Sequence, residues 1–281
     1  MDRQGSVEGD VMQIASRQCL WKETGIGTEI LVEMTSATGL YFKLAYFATV
    51  GKPLIVLWGD GSKTEREYGT DRQFVDHTYA KYGRYRIVVF GAKTIGLRFL
   101  DGEAQYAYDA AVLSFVDHCG QITGSTSGAF KKAVNLERYI APNCAWQGQR
   151  DFAYCTKLKE VVIGRNGICY DGTYQYCSAL EKYTTESTGT CWSYVWQGCT
   201  KLRELRLGSV YQFATRDFDN TPNLMDIWIS DKTIDQIRQV APSGNIVAGY
   251  SARFPWGANS NCRFHGTDGI VRADGTVLER F

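Results

Sequence analysis

Between residues 129 and 230 one pattern of apolar positions recurs five times without a gap. Phe130, Phe152, Tyr174, Trp196 and Phe218 stand 22 residues apart, and a leucine follows each by six: Leu136, Leu158, Leu180, Leu202 and Leu224. An alternating pair comes next, Tyr139 with Ala141, Val161 with Ile163, Tyr183 with Thr185, Leu205 with Leu207, and Ile227 with Ile229. A fixed period in this range is the signature of a solenoid, whose units bury their apolar edges only against their neighbours. The alternating pair predicts one short strand per coil, stacked in parallel on the next. Ahead of the aromatics stand Ser127, Asp171, Ser193 and Thr215, whose side chains can accept from orphan backbone N–H groups. Each is therefore expected to open one helical turn.

Outside the array the pattern changes. Residues 1–20 are polar and read as a tail or edge strand. Residues 21–91 read as strands and turns, with β-branched and aromatic runs at 29–34, 40–47, 54–58 and 85–90 and a tight hairpin at Gly59-Asp60-Gly61. Strands at this spacing predict a β-sandwich. The solenoid is placed at 92–230, its first coils irregular over 92–126 because a terminal repeat lacks a neighbour on one side. Residues 231–281 form a C-terminal cap: a short amphipathic helix over 231–240, begun by Asp231, then a hairpin around Ala273-Asp274-Gly275. The expected class is mainly β with short helical turns.

Two resemblances attach to these segments. Phe152-Ala153-Tyr154-Cys155-Thr156-Lys157-Leu158-Lys159-Glu160-Val161-Val162-Ile163-Gly164 and Trp196-Gln197-Gly198-Cys199-Thr200-Lys201-Leu202-Arg203-Glu204-Leu205 resemble the BspA-like class of leucine-rich repeats. The array departs from that pattern at Ala133 and Thr221, which replace the cysteine, and at Tyr183 and Thr185, where aliphatics are usual. Trp58-Gly59-Asp60-Gly61-Ser62, followed by His77-Thr78-Tyr79-Ala80-Lys81-Tyr82-Gly83-Arg84-Tyr85-Arg86-Ile87, resembles the paired motifs of PKD-type immunoglobulin-like modules, with Tyr82 in place of the usual proline. The first resemblance implies a surface protein of host-associated microbes with an adhesive or recognition role. The second implies a spacer or binding module, in which Asp60 closes its turn and His77 packs.

Composition narrows the function classes. Among 281 residues the net charge is +1, which argues against bulk attraction to nucleic acid or an anionic membrane. No apolar run is long enough to span a bilayer, and the first 16 residues lack the form of a secretory leader. Two settings follow from that: a bacterial cell surface reached with a leader outside this sequence, or the virion of a phage infecting such bacteria. Nine cysteines cannot all pair internally, and Cys155, Cys177 and Cys199 share one repeat position, so stacked coils point them the same way. They are expected to be buried free thiols. The 17 tyrosines and 7 tryptophans suit β packing and protein or carbohydrate contact alike.

The sequence carries no phosphate loop, nucleophile elbow, dinucleotide glycine pattern or zinc-ligand spacing, so no cofactor and no metal are expected, nor an enzyme. Asp101, Glu103, Asp109 and Asp117 are the carboxylates from which a glycosidase pair could be drawn. Binding residues are instead sought among those the period leaves free. Flanking the inward pairs, Arg138 with Ile140, Glu160 with Val162, Lys182 with Thr184, Glu204 with Arg206, and Asp226 with Trp228 point outward in two columns. Tyr170 and Trp192, one period apart, form a second candidate pair, or else core. The expected function is recognition of a protein or glycan ligand on a host surface. The alternative is a structural assembly or decoration protein of a phage capsid or tail, in contact with neighbouring virion proteins, and oligomeric state is left open.

Overall fold

The computed structural model describes residues 27–164, 168–214, 216–243 and 254–281. The expected N-terminal tail and the capping role of Thr215 lie outside them.

Seven strands open the chain: β1 (Thr28–Met34), β2 (Tyr41–Ala48), β3 (Leu54–Leu57), β4 (Lys63–Arg66), β5 (Gln73–Thr78), β6 (Gly83–Phe90) and β7 (Ala92–Gly96). They form two antiparallel layers, ordered β1-β6-β3-β4 and β5-β2-β7. Alternation in β1 turns Ile30, Val32 and Met34 inward, as the period of two requires. Buried Trp58 donates its indole N–H to Thr64 Oγ1 at 2.8 Å, and its carbonyl accepts the Tyr79 hydroxyl at 3.0 Å. Asp60 closes its turn by accepting the Ser62 amide at 2.9 Å. β7 pairs with β2, so the sandwich runs through Gly96, beyond the boundary at 91.

The solenoid is built directly onto the first layer. β8 (Val112–Asp117) is antiparallel to β1 on one side and parallel to β9 (Arg138–Ala141) on the other. β11 (Glu160–Ile163), β13 (Lys182–Thr184), β15 (Glu204–Leu207), β17 (Asp226–Ile229) and β19 (Arg263–His265) follow in parallel. An antiparallel hairpin, β20 (Gly269–Arg272) and β21 (Val277–Arg280), closes this 13-stranded sheet. On a second side each coil adds a strand to a parallel sheet: β10 (Trp146–Gln147), β12 (Ile168–Cys169), β14 (Ser187–Cys191), β16 (Ser209–Ala214) and β18 (Ala241–Ser243). The five aromatics and five leucines of the period are fully buried between the sides. Tyr183 fills the space of a missing aliphatic by packing edge-on against Trp196, as Tyr139 packs edge-on against Phe152.

The third side differs from expectation. The segments around the aromatics are chains of turns, not helical turns. Alternate amides close four-residue turns, as Ala153 N–H does on Arg150 O at 3.2 Å, while those between reach the next coil, as Phe152 N–H does on Thr173 O at 2.8 Å. A helix would need all of those donors for itself. Each coil also places left-handed residues four apart, Arg150 and Tyr154 (φ 53° and 65°) in one coil and Gly172 and Tyr176 (φ 62° both) in the next, which breaks any helical run. Asp171 consequently accepts the Ser193 amide of the following coil at 3.0 Å. The C-terminal helix α1 (Ile234–Arg238) forms, but Thr233 caps it, not Asp231, because Thr233 and Gln236 complete a reciprocal capping box. Asp231 bonds Ser209 instead, at 3.0 Å.

Candidate binding surfaces

In-register parallel strands bring residues one period apart to about 4.8 Å from each other, so the outward positions form true columns. The first runs Arg138, Glu160, Lys182, Glu204 and Asp226, and the register extends it to Ser114 and Arg263. Its charges are taken up by one another. Arg138 pairs with Glu160 at 2.6 Å, Lys182 with Glu204 at 3.4 Å, and Arg206 also with Glu204. Asp226 meets Arg263 and His265, both at 2.7 Å. Burial works against the Asp226 carboxylate, yet those two partners hold it below the usual carboxylate range.

The second column runs Val116, Ile140, Val162, Thr184, Arg206, Trp228 and His265. Its first four members are half-buried and uncharged, leaving an apolar stripe. Its other end is a stack: the Arg206 guanidinium lies 4.6 Å from the Trp228 ring centroid, and His265 stacks on Trp228 at 4.4 Å with planes 12° apart. Trp228 is therefore braced along the column rather than standing free. Neither His265 nor Arg263 belongs to the period; the sequence offers no signal for them, since the strand that carries them follows a long connection.

Tyr170 and Trp192 are not core. Each is 38% exposed, and the two rings stack at 6.0 Å with planes 23° apart, at the corner between the five-stranded sheet and the turns. Tyr154 and Tyr176, also stacked (5.0 Å) and exposed, form a second such pair on the turns. Their 22-residue spacing is the one signal in the sequence that could have found them. Beside Trp192 a recess of about 280 Å³ is lined by Gln149, Arg150, Asp171, Gln175, Ser193 and Tyr194. Three successive coils contribute to it, at positions with no shared residue type.

The residues considered for chemistry are otherwise committed. Asp109 is ion-paired with buried Arg98, Asp101 holds Lys131 and Arg150, Glu103 accepts the Phe99 amide, and buried Asp117 accepts from Thr28 and Ile122. His77 Nε2 lies 2.6 Å from Asp60, and Ser62 Oγ approaches that same nitrogen at 3.4 Å. A serine–histidine–acid relay uses both ring nitrogens, so this cluster is a locked turn. Among the described residues no three metal-ligating side chains converge, and no helix is long and apolar enough to cross a membrane.

Stacked coils, one strand each, on a continuous parallel sheet define a leucine-rich-repeat solenoid. The family model described as "BspA type Leucine rich repeat region" matches in six copies over residues 105–188 and 123–245, half of the chain. The chain belongs to that family. It is also similar to the crystal structure of the pneumococcal vaccine antigen PcpA, at 13% identity and a TM-score of 0.43, over 63% of this chain and 40% of that one. The chain thus spans less than half the length of that protein. No curated protein matches it.

Proposed function

We propose that this is a non-enzymatic surface protein that recognises or adheres to a protein partner through the outward face of the long sheet. The observation that carries the reading is the contrast between the two columns. The first column's charges satisfy each other in the plane of the sheet, so they offer a partner little. The second presents Val116, Ile140, Val162 and Thr184 as a half-buried stripe ending in the Arg206–Trp228–His265 stack. A solvated face has no use for such a stripe, whereas an interface core depleted of free charge and anchored by Trp and Arg has the composition of a hot spot. Membership of a repeat family built to display an extended face supports the same reading. The N-terminal sandwich, with its PKD-like motifs, serves in this reading as stalk or docking module.

The test is binding of the intact chain to a panel of purified extracellular proteins, with Val162→Lys and Trp228→Ala as variants. Both should lose a bound protein that the parent retains, by about tenfold or more, with melting temperature little changed. Binding indifferent to both variants would place recognition elsewhere. Self-association through this face in place of foreign binding would favour an assembly role, as in a virion.

A further inference from the structure

We infer that the recess beside Trp192 is a second binding site, separate from the sheet face, and that it takes a neutral sugar ring of a glycan. Three features argue for that class. The first is charge. Arg150 lies near Asp171 and also reaches Asp101 at 3.3 Å, and Asp101 in turn holds Lys131 at 2.7 Å. Two cations thus balance two anions around the recess. A phosphate or sulfate would confront Asp171, and an ammonium group would confront Arg150, so either would bind against an uncompensated like charge.

The second is hydrogen-bonding capacity. A sugar hydroxyl both donates and accepts, and vicinal hydroxyls match planar groups that bind in forks. Gln149, Gln175, Arg150 and Asp171 are all of that kind, and together they supply donors and acceptors. Gln175 is oriented by its Nε2 donating to Gln197 Oε1 at 2.6 Å, which keeps its own carbonyl oxygen available. Asp171 engages one oxygen with the Ser193 amide, leaving the other.

The third is the wall. Trp192 and Tyr194 give the apolar C–H face of a pyranose an aromatic surface, and Tyr170 stacks on Trp192 and supports it. At about 280 Å³ the recess lies at the small end of ligand sites, a size for one or two rings rather than a folded partner.

Gly172 supplies a clean test. A Cβ there would meet Gln175 Oε1 at 3.2 Å and the Arg150 Cγ at 3.3 Å, so a side chain at this position grows among the lining groups. Its φ of +62° is one that asparagine tolerates, and Arg150, Tyr194 and Arg216 adopt the same conformation at the equivalent position of other coils (φ 53°, 67° and 68°). Gly172→Asn should therefore fill the recess and keep the coil. The intact chain is screened on an array of neutral hexose-terminated, sulfated and sialylated glycans, with hits titrated by NMR. Neutral glycans are expected to bind, about tenfold or more weakly in both Gly172→Asn and Trp192→Ala, with the thermal midpoint of Gly172→Asn lowered by only about 2–4 °C. Trp228→Ala, which tests the sheet face, should leave this binding intact. Binding confined to charged glycans, absence of any bound neutral glycan, or affinity unmoved by both variants would overturn the assignment.

Discussion

The thiol of Cys177 donates to the carbonyl oxygen of Phe152 in the preceding coil, at 3.1 Å. The same contact joins Cys155 to Phe130 at 3.1 Å and Cys199 to Tyr174 at 3.2 Å. The repeat cysteine is thus small enough to sit under the turns and polar enough to satisfy a carbonyl of the coil before it. That explains its place in the period without recourse to redox chemistry.

These thiols should be chemically silent in the folded protein. All three are fully buried, and burial pushes the Cys199 thiol up to about 12 and raises the other two as well. Alkylation at pH 8 followed by mass spectrometry should leave Cys155, Cys177 and Cys199 unmodified until denaturant is added. Partly exposed Cys119, raised to about 11 by burial and by Asp117, should react slowly before them.

The left-handed column at 132, 154, 176, 198 and 220 makes opposite predictions at two of its members. Lys132 is exposed at φ 61°, and Lys132→Gly should stabilise the protein by about 1 kcal/mol, since a side chain is strained in that conformation. Gly198 holds φ 76°, and a Cβ there would lie 2.4 Å from Tyr176 Cδ1. Gly198→Ala should therefore destabilise by about 1–3 kcal/mol and disturb the Tyr154–Tyr176 stack. Urea denaturation of the two variants measures both.

Legibility in the sequence follows the source of each constraint. Leu180 and Trp196 are set by burial against identical neighbours, so a period reveals them. The turns look helical in the sequence because their left-handed positions hold Arg150, Tyr154, Tyr176 and Arg216 rather than glycine, and what stabilises them is hydrogen bonding to a coil 22 residues away. β4 (Lys63-Thr64-Glu65-Arg66) is an edge strand with no apolar alternation, so only its partner β3 defines it. Of the recess only Trp192 is marked in the sequence, by its spacing from Tyr170, because Arg150 and Gln175 meet it across three coils at positions the repeat does not fix.

Stability should depend on pH through carboxyls the solenoid buries. Burial raises Asp151 to about 8, against the opposing pull of the Ser125 hydroxyl and the Phe130 and Ala129 amides, and raises Asp217 well above the usual range. A carboxyl raised in the folded state contributes stability that is complete below its unfolded value near 4 and is lost as pH climbs through the folded one. The melting temperature should therefore rise as pH falls from about 8.5 to 5.5. Asp151→Asn should flatten that slope, because an amide cannot ionise. Asp60, which burial alone would raise, is held down to about 2 by Ser62 and His77; its contribution is lost only in stronger acid and leaves this window untouched.

A buried charge pair reinforces the joint between sandwich and solenoid beside the continuous sheet, and it predicts how the two parts unfold. Arg98, 1% exposed, pairs with Asp109 and donates through Nη1 to the carbonyls of Lys131 at 2.8 Å and Gly128 at 3.3 Å. Its own carbonyl accepts the Thr126 hydroxyl at 2.7 Å, and next to it Leu97 N–H bonds Ala129 O at 2.8 Å. Arg98 thus ties the strand leaving the sandwich to the turns of the first regular coil, while β1 and β8 tie the same modules through the sheet. Arg98→Ala strands Asp109 and the Lys131 carbonyl in the interior, while the Gly128 carbonyl keeps the Lys131 amide at 3.1 Å, and should cost about 3–5 kcal/mol, whereas Arg98→Met with Asp109→Leu, which removes both charges, should recover part of it. Because the sheet runs unbroken across the joint, the parent should melt in one transition by calorimetry, and Arg98→Ala should lower that transition or split it. A parent that already melts in two steps, with Arg98→Ala moving neither, would mean the pair fills space without coupling the modules.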